Sequence, residues 1–471
     1  MRANRFNDQS VGSLKLPLAV GFGTMILAAH VSGVNTAFPL IMRELGSDAV
    51  SGQWILTVYT LALSGCLLTF GSLGDTIGLR PVYVTGLVVY GCVSAACALA
   101  TGTTGLTWLR GTQGIGAAMI SATSVAMLAA HTSPARLGRA LGWQSAMTYA
   151  GLAFGPPLSG ALAQFLGWRA LFLINAPAAV AAIAALPRLP RELNVNRCGT
   201  SFFSVSNLGW IGTLVSLTVS FRRGNYQFLA LVFAGVSSCV FIWTNNRSDR
   251  PLIPLQAFRV RGFLAATAAE ISFYSCLYAI GFLIPLYLLC ARRLAAVDAG
   301  IFLAAQGVAR AVAAPFSGRL LDHYSTGRVT VAGALTSIAA ISIMCTFTDA
   351  TPRMGIVAVL VLLGLGTGLF VPANSKALLG AVPAELYGAS VGILATARNL
   401  GMTFGVTAAA LLYTEFAPGS SPADTVAGVR MAFAIIVASA LTLSVLVLTA
   451  RRLSRLPTSF LIRRITWPLQ F

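Results

Sequence analysis

Residues 151–162 read GLAFGPPLSGAL, and residues 401–412 read GMTFGVTAAALL. Gly151 and Gly155 fall on Gly401 and Gly405, an offset of 250 residues. The same offset carries GIG at 114–116 onto GLG at 364–366, and Gly138 and Gly142 onto Gly388 and Gly392. Gly71 and Asp75 fall on Gly318 and Asp322, 247 residues later. Self-similarity kept in order at nearly one distance marks a duplicated chain.

The material between the repeats is lipid-soluble. Residues of the set AVILMFWYC make up 56% of the chain and charged residues 10%, against about 25% charged in a soluble domain. Mean hydropathy is +0.79. Apolar runs lie near 16–40, 53–73, 82–101, 105–130, 139–165, 168–187, 202–221, 226–244, 262–290, 297–318, 328–348, 354–376, 388–414 and 428–450. Most are long enough, at roughly 20 residues, to cross a hydrocarbon core of about 30 Å. Lipid offers an open backbone no hydrogen bonds, so the spans are predicted to be helices. The expected fold is an all-α integral membrane protein of about fourteen helices, in two six-helix bundles with two linker helices between them. The division predicted is 1–187, a linker 188–260 with two extra spans, and 261–471 with a tail. An even number of spans per half makes the halves parallel repeats, an architecture that holds its site near the midplane.

A net charge of +19 raises a nucleic-acid reading, which the placement of the charge excludes. With the N-terminus inside, cytoplasmic segments carry 21 Lys and Arg, external segments 8, and the spans hold Arg110, Arg310 and Arg398. This is the positive-inside pattern, and it puts both termini in the cytoplasm of a multi-pass plasma-membrane protein. Eight Cys without a CxxC pair, most of them within spans, give neither a disulfide framework nor a metal site. An integral membrane transferase would need converging acid/base residues beside a larger loop domain. His131 and His323 are read into separate loops, and no loop is large enough.

Three motifs stand in order. Gly71-Ser72-Leu73-Gly74-Asp75-Thr76-Ile77-Gly78-Leu79-Arg80 joins spans two and three, with a looser copy ending at Asp322. Arg110-Gly111-Thr112-Gln113-Gly114-Ile115-Gly116 opens span four, and Gly151 to Gly160, with Gly155, Pro156 and Ser159, lies in span five. Together these resemble the signature motifs of the major facilitator superfamily. Fourteen spans, Val34-Asn35-Thr36-Ala37-Phe38-Pro39 in span one and Arg398-Asn399-Leu400-Gly401 in span thirteen are similar to its fourteen-helix drug:proton antiporters. The resemblance implies a bacterial efflux transporter working without a cofactor on a proton gradient, with protons, a small amphipathic substrate and lipid as partners. It also implies a state-dependent latch at Gly71, Asp75, Gly78, Arg80 and Asp322, proton transfer at Arg110, and a bend at Gly151, Gly155, Pro156 and Gly160 that limits leakage. Thr76 and Leu79 depart from the basic residues usual in the loop, and His30 stands where the family typically has Asp. A uniporter, symporter or dedicated metabolite exporter of the same fold is the alternative.

Glu270 is the acid placed within an apolar run. An intramembrane carboxyl is a coupling candidate by default, with His30 and Arg110 beside it and Arg398 or Arg310 as its possible partner. Glu270, Tyr274 and Tyr278 share one helix face at i, i+4, i+8. Trp54, Tyr59, Gln113, Trp143, Tyr149, Arg398 and Asn399 complete the residues expected around a substrate cavity. Three intramembrane Arg against one Glu predict a cavity that favours neutral or anionic amphiphiles over dications.

Overall fold

The structure is a computed structural model that describes residues 15–132, 134–187, 205–220, 227–247, 261–379, 387–417 and 421–453. Among the described residues the regular secondary structure is helical throughout. The chain enters α1 (Lys15–Leu45), turns through α2 (Ala49–Gly52), and continues as α3 (Trp54–Ile77), α4 (Leu79–Ala98), α5 (Thr103–His131) and α6 (Pro134–Phe165). The sixth span is not one rod: α7 (Arg169–Leu173) and α8 (Asn175–Ala185) meet at Ile174. Next come α9 (Val205–Ser220) and α10 (Gln227–Arg247), then α11 (Arg261–Leu286), which ends in a π-helical turn (Tyr287–Ala291). The remainder is α12 (Ala296–His323), α13 (Thr326–Met344), α14 (Arg353–Leu379), α15 (Tyr387–Phe416) and α16 (Pro422–Leu453). Nine of these helices, among the described residues, are long and apolar enough to cross a membrane by themselves. α6 and α15, laden with Gly, Ser and Thr, fall outside that group and bury their small faces on neighbouring helices instead. His131 and His323, expected in loops, are the last residues of α5 and α12.

Local chemistry sets the ends. Gly78 takes φ +102°, a left-handed conformation that glycine alone adopts cheaply, and so lets α4 start one residue after α3 stops. α16 opens with a capping pair: the Asp424 amide donates to Ser421 Oγ at 3.1 Å, and the Ser421 amide donates to Asp424 Oδ2 at 3.1 Å. Pro422 occupies the first helical turn, where a missing N–H is harmless.

Packing repeats with the sequence. α6 lies on α1 and α15 lies on α11. A Cβ at Gly151 or Gly155 would strike the α1 backbone at Met25 and Ala29; one at Gly401 or Gly405 would strike α11 at Ile271 and Ser275. Residues of α1 and α11 therefore correspond at an offset of 246. α5 likewise lies on α3 and α4, as α14 lies on α12 and α13. The halves meet where α6 packs on α12, α3 on α15 and α1 on α11. The additional pair, α9 and α10, pack on each other, with α9 leaning on α3: Ile211 fills the space beside Gly65.

The apolar contact between halves is concentrated at one end. Val34, Phe38, Ile41 and Ile55 form a single cluster with Ile280, Phe282 and Leu283, and the Phe38 and Phe282 rings lie 5.1 Å apart. All of these lie toward the ends of α1 and α11 where the α2 connection sits. The buried clusters toward the other end, around Tyr83 and Tyr90 and around Tyr274 and Phe370, each stay within one half.

Candidate functional site: two polar clusters flanking a central cavity

The amino-terminal half buries a polar cluster. Arg110, on α5, is 1% exposed. Its Nε donates to the Ile55 carbonyl at 3.1 Å, and its Nη1 donates to Gln113 Oε1 at 2.5 Å and to His30 Nε2 at 3.1 Å. The guanidinium lies 4.2 Å over the Tyr59 ring. Gln113 Nε2 also donates to Ser94 Oγ on α4, and the Asn175 amide at the start of α8 lies 2.8 Å from His30 Nδ1. His30 therefore meets N–H donors at Nε2 and has polar neighbours on both sides. The break at Ile174 is what starts α8 at Asn175, so the interruption of the sixth span places the amide that reaches His30. Arg110 thus spends its hydrogen bonds inside one bundle.

The carboxy-terminal half buries a second one. Glu270 on α11 is fully buried. Its Oε1 accepts from Arg398 Nε at 2.6 Å, and its Oε2 accepts from Asn374 Nδ2 at 2.6 Å. Asn374, on α14, also donates to the Ala266 carbonyl at 3.0 Å, and Arg398 Nη2 donates to Ser375 Oγ at 2.9 Å. The Arg398 guanidinium lies 5.5 Å from the Tyr274 ring, and the Tyr274 and Tyr278 rings follow along the same face, 6.4 Å apart. Of the two partners open to Glu270, the structure selects Arg398.

Between the halves lies an open cavity of about 100 Å³, walled by α1, α6, α11 and α12. Its polar lining is Ser32, Asn35, Thr36, Tyr278, Gln306 and Arg310. Arg310 reaches across the halves, its guanidinium 5.2 Å from the Tyr149 ring of α6 and its Nη2 donating to Tyr274 Oη at 3.4 Å. Tyr278 is thus on the cavity wall; Tyr149 and Tyr274 stand behind Arg310. Tyr59 and Gln113 belong to the sealed cluster in the first half, Trp54 and Asn399 are absent from the cavity wall, and Trp143 is 43% exposed.

The motif helix α6 is the wedge between α1 and α12. Gly151 and Gly155 admit α1, and a Cβ at Gly160 would run into the Ala296 backbone of α12. In return, Gly300 of α12 admits the Pro156 carbonyl. Pro156 and Pro157 sit inside this continuous helix and leave it two N–H groups short. In the loop motif, Gly78 makes the turn, whereas a Cβ at Gly71 would meet nothing within 4 Å among the described residues. Arg80 is half-buried, and among the described residues its Nε has no hydrogen-bond partner. The side chains of Asp75 and Asp322 lie outside the described residues.

Asn175, Asn374 and Gln306 were not among the sequence candidates, and Arg310 entered only as an intramembrane charge and possible partner of Glu270. The available signal was polarity within a span: Gln306 and Arg310 stand at i, i+4 on span ten, and Asn374 breaks an apolar run.

The profile of the Major Facilitator Superfamily matches residues 20–289 and 263–464. The chain belongs to this superfamily. Major facilitator proteins are membrane transporters and not enzymes, and the two bundles described above are their architecture. Among relatives, the tetracenomycin C resistance and export protein of Streptomyces glaucescens is 30% identical over 404 residues, covering 84% of this chain and 75% of that one. The puromycin resistance protein pur8 of Streptomyces alboniger is 30% identical over 440 residues, covering 88% and 86%. A solved structure from work on substrate recognition in proton dependent oligopeptide transporters aligns with TM-score 0.69 at 14% identity, over 93% of this chain and 99% of that one. That likeness carries the fold. This major facilitator protein is a multi-pass membrane transporter with bacterial relatives.

Proposed function

We propose that the chain is a proton-driven exporter of small amphipathic compounds, working by alternating access with both termini in the cytoplasm. One observation carries this reading: a fully buried carboxylate, Glu270, stands on the helix whose next turns, through Tyr278, form the wall of the cavity between the halves. The resistance and export relatives support the direction of transport. The apolar seal around Phe38 and Phe282 supports a cytoplasm-facing state, since it closes the end away from the termini.

A proton arriving on Glu270 neutralises the ion pair with Arg398. The freed guanidinium is then an unpaired cation beside Tyr274, whose hydroxyl is held by Arg310 at the cavity wall. Proton and substrate thereby act on one connected group, and transport couples because each ligand binds the two facing states unequally. His30 and Arg110 tie the first half together in this scheme, because the imidazole meets Arg110 and Gln113 at Nε2 and Asn175 at Nδ1. The lipid bilayer, the substrate and protons are the partners, and the proton gradient is the energy source.

The test is export from proteoliposomes under an imposed pH gradient, comparing wild type with Glu270→Gln. The variant should keep counterflow exchange and lose gradient-driven accumulation. Equal accumulation in both removes Glu270 from the mechanism.

A further inference from the structure

The spans hold three arginines, and the structure treats them differently. Arg110 is enclosed by a carbonyl, an amide oxygen, an imidazole and a tyrosine ring. Arg398 has a carboxylate at 2.6 Å. Arg310 has neither. Among the described residues no carboxylate lies within ion-pair distance of it, and Glu270 has both oxygens committed elsewhere. Among the described residues its buried Nε has no hydrogen-bond partner, and its hydrogen bond to Tyr274 is long at 3.4 Å. A cation taken out of water and left uncompensated is costly unless something supplies the opposite charge. Arg310 also lines the cavity between the halves, with Gln306 one turn before it and Asn35 opposite on α1. Leu152, Leu277 and Leu303 make the rest of that wall apolar.

We infer that the cavity takes amphiphiles carrying an oxyanion (a carboxylate, sulfonate or phosphate) and that the substrate itself is the missing counter-ion of Arg310. This rests on the exporter reading and names the substrate class for its cavity. The apolar wall receives the body of the molecule, while the Arg310 fork, being planar and always charged, receives the oxygens. Gln306 and Asn35 offer further N–H groups. A cationic amphiphile of the same shape would bring like charge to Arg310 and is disfavoured.

Two dyes that share an aromatic body make the test. 8-Anilinonaphthalene-1-sulfonate carries the sulfonate, N-phenyl-1-naphthylamine lacks it, and both brighten in apolar sites. Binding is measured on the purified full chain in a non-ionic detergent, with empty micelles subtracted. Arg310→Gln should weaken the sulfonate dye ~10-fold or more, the scale of a lost charge-assisted hydrogen bond. It should leave the neutral dye within about twofold. Arg310→Lys should fall between, and Arg353→Gln, which removes an exposed charge at the start of α14, should change neither. Equal loss of both dyes, or no loss of either, overturns the assignment.

Should Arg310→Gln fail to fold, wild type decides alone. Naphthalene-1-sulfonate should displace the bound dye at a concentration ~10-fold or more below that of 1-naphthylmethylammonium; parity or the reverse order sinks the proposal. Export from wild-type proteoliposomes separates the two readings. Gradient-driven export that is blind to probe charge defeats the oxyanion class and leaves the exporter standing. Export of no probe defeats the exporter itself.

Discussion

Glu270 and Arg398 form an ion pair at 2.6 Å in the place where the other half has a hydrogen bond between two threonines. The offset of 246 between α1 and α11 carries Thr24 onto Glu270, and the offset of 250 between α6 and α15 carries Thr148 onto Arg398. Thr24 and Thr148 share a hydrogen bond of 2.8 Å. The backbone contacts are repeated and the chemistry is not. One half joins its first and fifth spans with a neutral contact that a proton cannot alter, and the other joins the same helices with a pair that a proton can break.

Removing one member of the pair should therefore cost more than removing both. Arg398→Thr alone, which strands the fully buried Glu270, should lower stability by about 3–5 kcal/mol, and Glu270→Thr, which strands the 29%-exposed Arg398, by less. The double variant copies the threonine pair of the first half and should lose less than either single one. Thermal unfolding of the purified protein in detergent checks this, and additive losses would mean that the two groups are not coupled.

Arg110→Lys should not substitute for arginine. The lysine keeps the charge but cannot at once reach the Ile55 carbonyl, His30 and Gln113 from the fork that spans them. A loss of about 2–3 kcal/mol is expected, with two charge-assisted bonds unmade. Yield of monodisperse protein and its melting temperature report it, and a wild-type melting temperature would show the cluster to be unimportant.

The contact of α6 with α12 has no room for a side chain at Gly160. Gly160→Leu should drive the Ala296 backbone away and separate the halves at that point. A disulfide engineered between Gln164→Cys and Val297→Cys, residues joined by a 3.3 Å hydrogen bond, reads the separation directly. Cross-linking should be efficient in the parent and drop severalfold with the leucine present.

Phe38→Ala combined with Phe282→Ala should open the apolar seal. A cysteine at Asn35, on the cavity wall, should then react with a membrane-impermeant maleimide added from the side of the α1–α2 connection. Without the two alanines it should be protected from that side. Equal labelling with and without them would show that the seal lies elsewhere.

Much of this was legible from the chain itself. The repeat of Gly151 and Gly155 in Gly401 and Gly405 foretold two halves, and those glycines are where the fifth span of each half meets the first. Glu270 stood out because a carboxyl is rare in an apolar run, and it proved fully buried. Less legible was the wall of the cavity. Aromatic residues were expected there, yet Trp143 is not on the cavity wall and Tyr59 is closed into its own bundle. Which face of a span points at the other half depends on the rotation of each helix, and the apolar pattern cannot report that when lipid and protein interior are equally apolar.

Sequence alone determined that the chain crosses a membrane many times as a duplicated set of helices, because lipid leaves the backbone no other way to satisfy its hydrogen bonds. Tertiary structure decided the partners: that Arg398 neutralises Glu270, that Arg110 is spent within one bundle, and that Arg310 alone among the three brings an uncompensated charge to the space between the halves. Charge compensation acts over a few ångströms between residues on different helices, and those distances exist only after the helices have packed.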